Sequence, residues 1–291
     1  MKQVKHDQAQ KLREKLDQLR NTSEARTIAV ISGKGGVGKS NFALNFALSL
    51  AKNNKKVLLF DLDIGMGNID ILLGLTPERS IVDMFEQDIP IDDIIEQGPQ
   101  SLSYIAAGSG LSDIFHFSEE KLDYFYQQLQ NLVQSYDYIL FDMGAGVTND
   151  SLNFILAANE CFVVTTPEPT ALTDGYAMIK HITQKQFDLP LYLVVNKAFS
   201  QKAGEKTMKR MQDVVSQFLN KSIEPLGILP DDRVVTKAVT SQVPFLSYDE
   251  KAKISQALTH MTNQYLEQNI DIHKKVPFRF VSKLKQFMLE R

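Results

Sequence analysis

The string GKGGVGKS at positions 33 to 40 is the first place where residue type and spacing point to chemistry. Gly33, Gly35, Gly36 and Gly38 leave a turn nearly bare of side chains, so that backbone N–H groups can curl around an anion. Two templates fit. As G-x-G-x-x-G, with Asp61 ending the next apolar run, the turn matches a dinucleotide fingerprint. As G-x-x-x-x-G-K-S it matches a triphosphate loop, in which Lys39 reaches the β/γ-phosphates and the Ser40 hydroxyl ligates Mg²⁺. The Lys-Ser pair favours the second template, since a dinucleotide turn has no use for it. The candidate phosphate binders are therefore Gly33, Gly35, Gly36, Val37, Gly38, Lys39, Ser40 and Asn41. Asp142 follows four apolar residues in YILFDMG, the position of an acid that holds the Mg²⁺ shell. FDLD offers Asp61 and Asp63, one carboxylate for the Mg²⁺ shell (Asp61) and one to orient an attacking water (Asp63).

Such groups need a rigid frame. Apolar, β-branched runs recur at 27–32, 56–63, 102–107, 136–144, 161–167, 190–198 and 223–230, several of them apolar on both faces, as strands buried between two helical layers are. The spacers 39–54, 118–134, 169–185, 200–220 and 249–268 are long enough for crossover helices. The pattern predicts an α/β fold, a doubly wound and mostly parallel sheet of about seven or eight strands with helices on both faces.

The 291 residues suffice for a large buried core, and 43% hydrophobic with 23% charged residues exclude a disordered or fibrous chain. A net charge of −3 provides no whole-protein attraction to nucleic acid or anionic lipid, so any such partner must meet a local patch. The single cysteine, Cys161, sits in an apolar run and suits burial and a reducing cytosol. No run reaches the length of a membrane span, and the start has no signal-like apolar region, so a cytoplasmic chain is expected.

Lys34 is the informative extra residue. KGGVGK, with a lysine directly after the first glycine, resembles the deviant phosphate loop of the MinD/ParA group of P-loop ATPases. The resemblance covers about residues 26–268. It implies an ATP-dependent homodimer, ATP or ADP with Mg²⁺ as cofactors, and slow hydrolysis. Lys34 would reach the partner's phosphates, Lys39 would act on its own, and Asp63 would hold the water. VLLFDLDIGMG resembles the family's first switch, and FDMGAG at 141–146 its second. TTPEP resembles its N-P-E segment, with Thr166 in place of Asn and Glu168 retained as a nucleotide contact. VVNKA offers Asn196 for the adenine edge, and ILPDD offers Pro230 and Asp231 for the loop over the base.

Two end segments stand outside the α/β pattern, so the chain divides into 1–25, the ATPase domain 26–268, and 269–291. In HDQAQKLREKLDQLR, Ala9, Leu12, Leu16 and Leu19 share one helix face. DQAQKLR resembles the motif that opens the flagellar branch of the MinD/ParA group, the regulators of flagellar placement and number. That resemblance implies an FlhF-like, SRP-type GTPase as partner, stimulated through Asp7, Gln8, Ala9, Leu12 and Arg13, with flagellar switch or C-ring components as further candidates. At the other end, Phe280, Val281, Leu284, Phe287 and Met288 form an apolar face flanked by Lys and Arg. Each buried apolar side chain is worth roughly 1.5–3 kcal/mol and each basic residue near anionic lipid roughly 1 kcal/mol, less the cost of ordering the helix. One such helix would hold a membrane marginally, and two on a dimer far better; in the monomer the helix should rest in a groove of its own domain. The rival assignments are a division-site MinD or a ParA-type DNA-partition ATPase, for which Lys202, Lys206, Lys209 and Arg210 are a modest cluster. DNA is not the expected partner.

Overall fold

Eight strands form one sheet in the order β3-β4-β2-β5-β1-β6-β7-β8. They are β1 (Arg26–Ile31), β2 (Val57–Leu62), β3 (Glu96–Gln97), β4 (Ser103–Ile105), β5 (Tyr138–Met143), β6 (Glu160–Thr165), β7 (Leu191–Ala198) and β8 (Glu224–Pro230). The structure, a computed structural model, describes residues 24–63, 67–108, 119–144, 146, 149–268 and 280–289. All pairings are parallel except β3 with β4. Every residue of β1, β2, β5 and β6 is buried, as the apolar runs require of strands covered on both faces.

The helices are α1 (Lys39–Lys52), α2 (Ile69–Leu73), α3 (Ile81–Gln87), α4 (Glu119–Ser135), α5 (Asn149–Ala157), α6 (Pro169–Lys185), α7 (Gln201–Leu219), α8 (Arg233–Thr240), α9 (Phe245–Tyr248), α10 (Lys253–Gln268) and α11 (Phe280–Leu289). The core divides into two layers. One packs α3 to α7 against the sheet around Phe60, Phe141, Phe154 and Ile179, and the other packs α1, α2 and α8 to α10 around Phe42, Phe46, Phe162 and Tyr265.

The chain leaves central β1 for β2 on one side of the sheet and later returns through β5 to build β6, β7 and β8 on the other. The strand order therefore reverses at β1, and the crevice beyond its carboxyl end is where such sheets bind ligands. At the opposite end of the strands Arg26 binds Glu160 with two hydrogen bonds of 2.9 and 2.7 Å. Tyr265 donates to the same carboxylate, which locks α10 across β1 and β6.

Helix α11 lies against α4 and α5. Phe280 is 1% exposed and Leu284 fully buried, and the Phe280 ring stacks on Phe141 at 5.0 Å between centroids. Val281, Phe287 and Met288 pack half-buried at the margin, and Lys285 pairs with Asp123 at 2.6 Å. The five apolar residues thus face the protein's own core. The amino-terminal motif residues Asp7, Gln8, Ala9, Leu12 and Arg13 lie outside the described residues. No described helix is long and apolar enough to cross a membrane.

Candidate functional site

The turn from β1 into α1 has the geometry of an anion cradle. Helix α1 begins after Gly38, which adopts φ +90°, with no side-chain cap and no acidic residue in its first turn. Its leading N–H groups are thus left for a ligand, with the positive end of the helix dipole behind them. Gly38 has a second reason to lack a side chain, since a Cβ there would stand 2.4 Å from Asn196 Nδ2. Gly33 serves close packing instead: its Cβ would fall 2.2 Å from the backbone of Asp174, so the loop is seated directly on α6.

Lys39 and Asp142 meet beneath this loop, both buried, with Nζ 2.5 Å from Oδ1. Asp142 lies beside Asp61 in the β2–β5 register, so two carboxylates share one strand-end level. Burial raises the Asp142 pKa, opposed by Lys39 and the Ser40 hydroxyl. Asp61 is pushed up to about 7, chiefly by burial and then by the charge of Asp142. Asp63 is also raised, mainly by burial, and packs by the second switch, where a Cβ on Gly144 would lie 3.2 Å from its Oδ1.

These groups differ in what they leave for a divalent cation. Asp142 Oδ2 is buried with no hydrogen-bond partner, and the Ser40 hydroxyl interacts with the same carboxylate. An orphaned carboxylate oxygen next to a helix-opening hydroxyl fits a Mg²⁺ shell. Asp61, the other acid expected at the Mg²⁺ shell, is anchored by backbone N–H groups. Its Oδ1 accepts from the Asp63 N–H at 3.0 Å, and its Oδ2 from the N–H groups of Asn68 and Ile69 at 3.0 and 3.3 Å. It fastens the first switch and the start of α2.

A cavity of about 620 Å³ opens beside the loop, lined by Gly36, Gly38, Asn41, Asn196, Pro230 and Asp231 among others. Sequence reasoning placed those six together from three separate stretches of chain. It missed the wall opposite, formed by Val235, Thr236, Val239 and Thr240 of α8 with Phe245 and Ile254, and it missed Lys197. Asn196 donates Nδ2 to the Val37 carbonyl at 2.8 Å, which leaves its amide oxygen as the acceptor for a base amino group. Val37 is otherwise a core residue.

Glu168 and Lys34 stand apart from that cavity. Lys34 Nζ lies 3.1 Å from Glu168 Oε2 and 3.0 Å from Thr170 Oγ1, at the start of α6. The pair is open to solvent, with the Glu168 side chain 65% exposed. Neither residue touches the Lys39–Asp142 centre, and both are presented on the surface. Thr166 is buried, and its hydroxyl accepts from the Glu168 N–H at 3.4 Å. Cys161 is buried with its pKa raised by burial, so it takes no part.

The model of the ParA family, described as NUBPL iron-transfer P-loop NTPase, matches residues 24–266. Among curated proteins the chain is 32% identical over 242 residues to the antiactivator FleN of Pseudomonas aeruginosa, covering 83% of this chain and 86% of that protein. It is also 32% identical over 272 residues to the flagellum site-determining protein YlxH of Helicobacter pylori, covering 93% and 86%. Among solved structures, the septum site-determining protein MinD of Pyrococcus horikoshii, complexed with Mg-ADP, superposes with a TM-score of 0.69 at 22% identity, over 87% of this chain and 100% of that one.

Proposed function

Because the chain belongs to the MinD/ParA-type P-loop NTPases, in the FlhG branch that includes FleN and YlxH, we propose that it is a Mg²⁺-dependent ATPase that dimerises on ATP and regulates the placement or number of flagella. What carries the ATPase assignment is the joining of two halves: a phosphate cradle over Lys39 and Asp142, and an adjoining cavity of about 620 Å³ lined by Asn196, Pro230 and Asp231.

Catalysis by this arrangement is mostly positioning and charge. The N–H groups at the start of α1 hold the phosphates, and Lys39 exchanges its contact with Asp142 for the β/γ oxygens. Mg²⁺, when bound, would neutralise charge on those oxygens, with Ser40 and Asp142 as its protein ligands and Asp61 holding the surrounding turn. Asp63, close to the second switch, is the residue we assign to orient a water toward the terminal phosphate. Burial raises its pKa, opposed by Lys39, and we expect slow turnover with a rate set by partners.

Lys34 is the residue we assign to a second copy's site. Held on Glu168 and Thr170 by an exposed contact worth little, it is free to swing to a second copy's phosphates. Helix α11 is the membrane element: Phe280, Val281, Leu284, Phe287 and Met288 are packed inward in the monomer and would turn to an anionic cytoplasmic membrane surface in the dimer. The amino-terminal motif at 7–13 is proposed to engage an FlhF-like GTPase. A DNA-partition role has one observation in its favour, that Lys202, Lys206, Lys209 and Arg210 are all exposed on α7, and DNA retention on a gel would reveal it.

The deciding experiment is size-exclusion chromatography with Mg²⁺ and either ADP or ATP, together with phosphate release from ATP and GTP. A dimer that forms with ATP only, and release from ATP over GTP, are expected. Failure to bind either adenine nucleotide ends the proposal.

A further inference from the structure

Successive side chains of a strand point to opposite faces, so Asn196 and Lys197 at the end of β7 should diverge. They converge on one loop. Asn196 Nδ2 donates to the Val37 carbonyl at 2.8 Å, and Lys197 Nζ donates to the Gly36 carbonyl at 2.7 Å. A bulge makes this possible. Strands β7 and β8 are in register at Val195 with Ile228 and again at Ala198 with Pro230, so β7 takes three steps where β8 takes two. Within the bulge Lys197 adopts φ +52°, a left-handed conformation uncommon for a lysine. Backbone held in such a region persists only where the surroundings impose it, and it clusters beside ligand clamps.

The loop's own chemistry explains why two donors are placed there. Backbone that turns its N–H groups inward to phosphates turns its carbonyls outward, and each outward carbonyl needs a donor. Gly36 and Val37 are consecutive, and consecutive side chains serve them. The Lys197 stem also lines the cavity, its Cε 3.9 Å from where a Cβ on Gly38 would lie. We infer that Lys197 is a positioning residue for the nucleotide: its ammonium pins the Gly36 carbonyl away from the phosphate cradle, and its stem closes the floor between the loop and the base. The inference rests on the nucleotide-binding reading above.

Three variants of the full chain test it. Lys197→Met keeps the stem without the donor, Lys197→Gly accepts the left-handed backbone without a side chain, and Lys197→Arg restores a donor. Affinity for Mg-ADP and for inorganic tripolyphosphate is measured by titration calorimetry, with KM and kcat for ATP and the ligand-free melting temperature alongside. Both affinities should fall about 3- to 10-fold in the Met and Gly variants, with KM rising and kcat held within about twofold, and Arg should recover most of the loss. Parent-like affinity in Lys197→Met overturns the inference alone. So does a lowered ligand-free melting temperature in Met and Gly that Arg does not rescue, since that marks a purely structural role. A parent chain that binds neither probe overturns the nucleotide reading as well.

Discussion

Two lysines five residues apart in one loop, Lys34 and Lys39, stand in unlike surroundings and are proposed to do unlike things. Lys39 is buried on Asp142, whereas Lys34 rests on an exposed Glu168 outside the base cavity. Replacing Lys34 by Ala should therefore leave Mg-ADP affinity within about twofold of the parent, yet abolish the ATP-dependent dimer and cut hydrolysis by at least about tenfold. Chromatography and phosphate release check both halves, and a Lys34→Ala protein that dimerises and hydrolyses normally would remove the cross-subunit role. Asp61 makes a pH prediction. Its folded carboxyl titrates near 7 against an ordinary 3.8, because burial and then Asp142 disfavour its charge. Between those values the folded protein binds more protons there than the unfolded chain, so this contribution to stability is full below about pH 4 and is lost as pH rises toward 7. Urea unfolding in EDTA should show the parent losing more stability than Asp61→Asn between about pH 5 and pH 7; parallel profiles would refute it. Lys197 marks the limit of reading such groups from sequence. The Asn-Lys pair was visible, but strand alternation assigns its members to opposite faces, and only the bulge against β8 brings both to the loop.

Elements were legible in proportion to their length and burial. The seven apolar runs are all strands, because continuous β-branched sequence leaves few other options, and the five long spacers are all helices. What escaped was short. Strand β3 has two residues and pairs antiparallel at the sheet edge, and α2, α3, α5, α8 and α9 run four to nine residues, too few for a periodic stripe to emerge. The cost fell on the site, since α8 forms the unrecognised wall of the cavity beside the phosphate loop. Helix α11 was legible as amphipathic, but its seat was not, because the groove is made by α4 and α5, far away in sequence. That seat has an energetic consequence. Phe280 and Leu284 are essentially fully buried, so a chain ending at residue 278 should lose up to about 3–6 kcal/mol of apolar stabilisation before relaxation of the groove. Calorimetric melting and dye binding to the uncovered groove measure it. An unchanged melting temperature would mean the helix contributes nothing at rest.

For the whole molecule, the placement of Phe280 joins the two ends of the proposed cycle. Its ring stacks on Phe141, the residue before Asp142, and it packs on Phe154 of α5, the helix that follows the second switch. On the proposed cycle, a movement of that switch when two copies close around ATP would reach the floor of the helix's groove through these rings. The same apolar face cannot serve core and lipid at once, so membrane affinity should track the nucleotide state. Released singly, the helix would bind a membrane weakly; paired on a dimer, the second binding event would become intramolecular and strengthen the whole by roughly 10² to 10⁴. Sedimentation with anionic vesicles should accordingly retain the protein with Mg-ATP and leave it in solution with Mg-ADP. Lys34→Ala, still able to bind nucleotide but not to pair, should remain in solution with either. Retention that is equal in ADP and ATP, or that survives in Lys34→Ala, would show that pairing does not control the helix, and the link from Phe141 to the membrane would have to be given up.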